Sequence, residues 1–300
     1  MFSESERLRF RRLTTLAAVL AYLLVVSGNI VRVTGSGLGC PDWPFCYGSP
    51  IPTADSTAII EMAHRFFAAS VSVLVVGICA VTLRRRFSPR LMALSALALG
   101  ALAVQIILGA LTVWLKLAWW TVAAHLGMGM LVLGAMVVMA WEWRGVPRPS
   151  NSARLAATAV FILLLTGGAV SGSGAALACG VEFPLGWPLC AGSLAPGPTT
   201  LGFAQWFHRG VVLVTVVLVM LSAWRAWARG SPTAKRWALL AVLAILAQAA
   251  VGAVMVMSLK PLWLATLHNA TAAFTWVAVL GIRDARVSLS SGAASPGGAG

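Results

Sequence analysis

Apolar residues run along the chain in eight long stretches, near residues 13–33, 58–83, 91–114, 118–141, 155–175, 200–224, 237–258 and 262–282, and most of the charge lies between them. A helix crossing a bilayer needs about 20 mostly apolar residues. Each stretch reaches that length, so the pattern predicts an all-α polytopic membrane protein with eight transmembrane helices. Composition agrees: 59% of the 300 residues are apolar and only 10% charged, where a soluble domain carries roughly 25% charge. A mean hydropathy of +0.88 excludes a soluble or intrinsically disordered chain.

The net charge of +14 comes from 22 Lys and Arg against 8 Asp and Glu. Those bases are spread between the apolar runs and form no continuous patch, which argues against nucleic-acid binding. Their distribution reads as topology. The two termini and the connections after spans 2, 4 and 6 hold all but Arg32, Arg65, Lys116, Arg209 and Lys260. By the positive-inside rule both termini are expected in the cytoplasm, with the loops after spans 1, 3, 5 and 7 facing outward. The basic stretch RLRFRR before the first span lacks a small-residue cleavage site after it, so that span reads as a helix and not a signal peptide. Residues 287–300 are small and polar and read as a disordered tail. Tryptophans near span ends, Trp119, Trp120, Trp141, Trp143, Trp224, Trp227 and Trp263, read mostly as an interfacial belt.

The chain repeats itself. VTGSG at 33–37 aligns with VSGSG at 170–174, an offset of 137, which sets Ala169 opposite Arg32. Gln105, Gly109, Lys116 and His125 align with Gln248, Gly252, Lys260 and His268, with one added residue between the Gly and the Lys. His64-Arg65 and His208-Arg209 lie between these matches. Two four-helix halves are expected, 1–145 and 150–286; four spans per half is even, so the halves share one orientation.

All four histidines fall on the second and fourth helices of the halves, His64 and His125 in the first, His208 and His268 in the second. Each sits six to eight residues inside the outward end of its span, a similar depth of roughly 10 Å. A single intramembrane histidine is often an interhelical hydrogen-bonding residue. Four in duplicated register point to cofactor ligation, because two opposed imidazoles in a four-helix bundle suit the two axial positions of a haem iron. Zinc fits less well, since a catalytic zinc wants a third protein ligand and only Glu61 offers one.

Duplication also exposes a difference: Glu61 precedes His64 by three residues, whereas Gln205 precedes His208. An i, i+3 pair shares a helix face. A carboxylate there can move protons or stabilise positive charge, whereas an amide only hydrogen-bonds, so chemistry is expected in the first half and a resident cofactor in the second. The bland alternative pairs Glu61 with Arg65 or water. Arg65 and Arg209 could bind haem propionates or snorkel to the interface. Two cysteines lie in each long outward loop, and in an oxidising compartment these predict Cys40–Cys46 and Cys179–Cys190 disulfides, structural or redox-active. Cys79, deep in span 2, reads as a packing residue.

The segments NIVRVTGSGLGCPDWPFCYG, EMAHR, AAHLG, WFHRG and TLHNA together resemble the haem A synthase family over nearly the whole chain. That resemblance implies two four-helix bundles, with haem B held in the second half by His208 and His268. It implies haem O as substrate, faced by His64 and His125, with Glu61 as the acidic residue near the reacting carbon and Cys40 and Cys46 as the functional cysteine pair. The implied reaction oxidises one haem methyl to a formyl through successive hydroxylations and loss of water. The cysteines of the second loop are spaced more widely, so that loop need not copy the first. Alternatives of other classes are a di-haem b-type electron-transfer protein and a parallel-repeat transporter. Besides haem O and membrane lipid, the candidate partners are an electron donor, the haem O synthase upstream and a second copy of the chain. With no Arg- and Ser-rich transit segment ahead of the first span, a bacterial plasma membrane is the expected location.

Overall fold

A computed structural model describes residues 3–52, 54–146, 148–196 and 199–283, and the predicted 287–300 tail lies outside them. Among the described residues there are eight α-helices and no strand: α1 (Glu4–Val33), α2 (Ser56–Arg84), α3 (Pro89–Trp114), α4 (Trp119–Trp143), α5 (Asn151–Ser173), α6 (Thr200–Arg229), α7 (Pro232–Met257) and α8 (Leu262–Leu280). The seven helices α1 to α7 are long and apolar enough to cross a membrane. α8 has 19 residues, and Thr266, His268, Asn269, Thr271 and Thr275 interrupt its apolar run, so it falls outside that set.

Local chemistry explains most of the helix starts. Ser3, Asp55, Ser88, Ser150, Thr199 and Ser231 each accept a first-turn amide through the side chain. Pro89 and Pro232 occupy first-turn positions where no amide is needed. α4 and α8 lack such a cap and instead follow left-handed residue pairs, Lys116-Leu117 and Leu259-Lys260.

Those two turns correct the repeat register. From Gln105 and Gln248 to His125 and His268 the offset is constant, with Leu259 opposite Lys116 and no residue added. The first match shifts as well. The left-handed Gly35 and Gly174 occupy equivalent places, each opening a short 3-10 turn, Ser36–Leu38 and Ala175–Leu177. That offset is 139, not 137, so the counterpart of Arg32 is Ser171 and not Ala169. Identical Val-x-Gly-Ser-Gly letters misled the alignment; the backbone turn is what is repeated.

Packing follows the same duplication. α1 and α3 both pack on α2 and α4, while α5 and α7 both pack on α6 and α8. α4 meets α5 as α8 meets α1, forming a seam. Small residues bring backbones together there: a Cβ on Gly172 would lie 3.0 Å from the Trp119 backbone, and one on Gly168 would lie 3.2 Å from Ala123 Cα. Three polar contacts cross the seam. Trp276 Nε1 donates to the Met130 carbonyl at 3.0 Å, Tyr22 donates to the Ala270 carbonyl at 3.1 Å, and the Arg32 guanidinium binds the Ser171 hydroxyl at 2.9 Å and its carbonyl. Met130, Leu133, Met136 and Met139 of α4 are fully buried at this centre. Trp141 and Trp143 are also buried, against the belt expectation, because Trp143 stacks on Phe10 and Trp141 packs edge-on against Trp237. Trp119, Trp120, Trp224, Trp227 and Trp263 are exposed.

Candidate functional site

Each histidine rests on a glycine of the preceding long helix. A Cβ at Gly28 would stand 3.1 Å from His64 Cε1, at Gly167 3.2 Å from His208, at Gly109 3.3 Å from His125 and at Gly252 2.7 Å from His268. The glycines therefore make the room in which each ring, Cε1 foremost, approaches a neighbouring helix. His64 and His125 are close enough to interact electrostatically, as are His208 and His268. All four rings are half-buried.

The hydrogen bonds select a tautomer. Ser27 Oγ lies 2.8 Å from His64 Nδ1, and the same hydroxyl donates to the Leu24 carbonyl at 2.8 Å. A hydroxyl has one proton, so it accepts from Nδ1–H and leaves a lone pair on Nε2. Thr166 repeats this for His208 at 2.9 Å, its proton going to the Leu163 carbonyl at 3.0 Å. His125 Nδ1 donates to the Gln105 carbonyl at 3.2 Å, and its Nε2 accepts from the Gln105 amide at 3.2 Å. The Gln248 side chain likewise lies 3.1 Å from His268 Nε2, with its other end against the Thr271 hydroxyl, which also reaches the Leu267 carbonyl at 2.9 Å. His268 Nδ1 is buried without a partner. Ser27 and Thr166 leave Nε2 of His64 and His208 with a lone pair, while a glutamine side chain engages Nε2 of His125 and of His268; two histidine pairs of this kind suit bis-histidine haem ligation once the glutamines yield. Among the described residues no three His, Cys, Asp or Glu side chains converge, so the three-ligand zinc alternative has no site.

Above the histidines lie the two cysteine loops. Cys40 is joined to Cys46 and Cys179 to Cys190. Glu61 and Gln205 are buried beneath them and do one job in common: Glu61 Oε2 accepts the Cys40 amide at 2.9 Å, and Gln205 Oε1 accepts the Cys179 amide at 2.6 Å. Arg65 and Arg209 clamp the same loops. Arg65 Nη1 donates to the carbonyls of Asp42 at 2.9 Å and Phe45 at 2.7 Å, and Arg209 Nη1 to those of Gly186 at 2.8 Å and Leu189 at 2.6 Å. Cys46 pairs with Ser49 as Cys190 does with Ser193. The second loop thus does copy the first in its closing half; the extra residues fall just after Cys179, where they leave the clamp intact.

What differs is the second nitrogen of each clamp. Arg65 Nη2 binds Glu61 Oε1 at 2.6 Å, completing a buried ion pair. Gln205 turns its amide nitrogen to the Ala176 carbonyl at 2.5 Å instead, and Arg209 Nη2 is left buried with no partner. The pairing of Glu61 with Arg65 is the geometry of the bland reading, yet it also fixes an acidic side chain three residues from His64. Sequence reading found Glu61, Arg65, Arg209, the four histidines and the four cysteines. It assigned no role to Ser27 and Thr166, whose Ser-Gly and Thr-Gly match emerges only in the corrected register, and none to Gln105 and Gln248, although both stood in the repeat.

A duplicated helical membrane scaffold with two histidine pairs defines the class. Residues 11–280 match the COX15-CtaA family of cytochrome oxidase assembly proteins, and the chain belongs to that family. It is similar to the haem A synthase of Shewanella oneidensis, 28% identical over 316 residues that cover 87% of this chain and 92% of that one. It is also similar to the haem A synthase of Symbiobacterium thermophilum, 31% identical with 72% and 75% covered. A shorter match, 35% identical over 46% of this chain, is to a protohaem IX farnesyltransferase of Haloarcula marismortui, 30% of which is covered.

Proposed function

We propose that this protein is a haem A synthase, oxidising a methyl group of haem O to a formyl by successive hydroxylations and loss of water. The family and the relatives of that name support the activity. The observation that carries the division of labour is the Glu61–Arg65 pair, set against Gln205 with an unpartnered Arg209. In this reading all eight helices span a bacterial plasma membrane as two four-helix bundles, residues 1–145 and 150–286, with both termini cytoplasmic. The electron donor, the haem O synthase and a second copy of the chain stay candidate partners.

The residues of the second half fit a resident haem B. His208 and His268 would hold it from two different helices, His208 with its Nε2 lone pair free and His268 once Gln248 yields; Gly167 and Gly252 leave space at the rings, and Arg209 Nη2 is a free donor for a propionate. Bound there, haem B supplies one-electron redox chemistry. The first half takes haem O as substrate. His64 and His125 fix its position through the iron, with Ser27 and the Gln105 carbonyl anchoring the two rings. Glu61, fixed in place by Arg65 and the Cys40 amide, stabilises positive charge at the reacting methyl or assists proton movement there. Cys40–Cys46 closes the loop that positions Glu61.

Purification from cells that also make haem O, followed by haem extraction, chromatography and mass measurement, tests this. Haem B together with haem O, a hydroxylated haem or haem A is the expected result. Two haem B per chain and nothing else would replace it with the electron-transfer reading, and absence of haem with the transporter.

A further inference from the structure

At the end of the molecule away from the disulfide loops, an open cavity of about 380 Å³ is lined by Arg90, Arg148, Pro149 and Arg154. Arg90 stands in the first turn of α3 and Arg154 in the first turn of α5, and neither turn holds an acid. Helix N-termini favour anions and disfavour cations, so arginines gathered at two of them are arranged for a negative ligand. Glu142 answers part of this charge, 2.6 Å from Arg90 Nη1. Arg283 at the end of α8 is 3% exposed, with Nε on the Leu280 carbonyl at 3.3 Å and Nη1 buried without a hydrogen-bond partner. Among the described residues, three guanidinium groups line the cavity, one of them paired with Glu142 and one, Arg154, bonded to the Asn151 side chain.

We propose that this cavity seats the phosphate of an anionic membrane lipid, held by Arg90, Arg148 and Arg154. A lipid fits better than a soluble phosphate because apolar surface continues from the pocket. Leu97 and Val104 follow Arg90 at seven-residue steps along α3 and are exposed, and on α5 the exposed Leu155 and Ile162 form a row one residue round from Arg154. Acyl chains lying on those rows place the headgroup at the arginines. The site joins the start of α5 to α3, so an occupied pocket ties the two sets of helices at the face opposite the cysteine loops.

The test is native mass spectrometry of the detergent-purified full chain, with a vesicle arm comparing purely zwitterionic lipid with lipid containing about 20% anionic phospholipid. Wild type is expected to retain one anionic phospholipid per chain. The R148A/R154A double variant, altered at two exposed side chains, should retain it on the order of tenfold less well, and R148K/R154K should retain most of it. Equal retention by the alanine variant, equal retention of zwitterionic lipid, or displacement of the lipid by millimolar inorganic phosphate would each overturn the proposal.

Discussion

The surroundings of His64 and His208 differ at almost one atom set. Both rings sit on a glycine of the preceding long helix, both give Nδ1–H to a hydroxyl whose own proton goes to the backbone, and both lie beneath a disulfide loop clamped by an arginine. Only beneath the first loop is the buried group a carboxylate ion-paired to that arginine; beneath the second it is an amide that leaves the arginine one donor short. One scaffold can therefore set two histidines in the same manner and still put a carboxylate beside only one of them. A buried ion pair contributes little net stability, so its presence in one copy alone points to chemistry.

The largest effect is expected from removing that asymmetry. Glu61→Gln, which makes the first half resemble the second, should leave haem bound and lower haem A on the order of a hundredfold, with haem O or a hydroxylated haem extracted instead. Wild-type levels of haem A would end the assignment. Gln205→Glu, the reverse change, should not create a second reacting site.

The glycine seats sharpen the comparison next. Gly252→Ala places a methyl 2.7 Å from His268, against 3.3 Å for Gly109→Ala and His125. Overpacking of this kind costs about 1–3 kcal/mol, so the haem-to-protein ratio should fall clearly in the first variant and little in the second. Equal losses would mean that the seats are not distinguished by space.

Thr166→Val keeps the shape beside His208 and removes the acceptor of Nδ1–H. Partners of this sort change metal affinity about tenfold or more, readable in haem B retention, while Ser27→Ala should act on bound haem O and leave haem B alone. If both variants changed the same haem, the division between halves would be wrong.

The smallest effect concerns the first loop. Asp42 accepts the Gly48 amide at 2.7 Å and the Tyr47 amide at 2.6 Å, and these bonds, the Gly48 one foremost, hold its carboxyl below its ordinary value. A lowered value in the folded loop means support that is complete at neutral pH and lost as pH falls through the acid range. Acidification below about pH 4 should therefore raise protease access to the first loop in wild type, and Asp42→Asn should show that access already at neutral pH.

How much of this was readable beforehand differs by feature. The eight helices, the pairing of cysteines within loops and the contrast of Glu61 with Gln205 were legible, because bilayer length, loop position and duplication act on letters directly. The repeat register was not. Val-x-Gly-Ser-Gly matched at the wrong offset, and Lys116 was matched to Lys260, because identical letters were compared where the fold repeats a left-handed glycine and a two-residue turn. Trp141 and Trp143 resembled belt residues for the same reason: position along a helix does not say whether its end meets lipid or Phe10.

By itself the sequence determined the length and number of the apolar helices, the depth of the histidines on them and which half carries the acid, all of them consequences of one-dimensional spacing. Tertiary structure alone decided which nitrogen of His64 and of His208 keeps its lone pair, that Arg65 and Arg209 spend donors on loop carbonyls, and that Arg32 reaches its own counterpart Ser171 across the seam. Each depends on hydrogen bonds between residues distant along the chain, and only the packed helices bring those partners within reach.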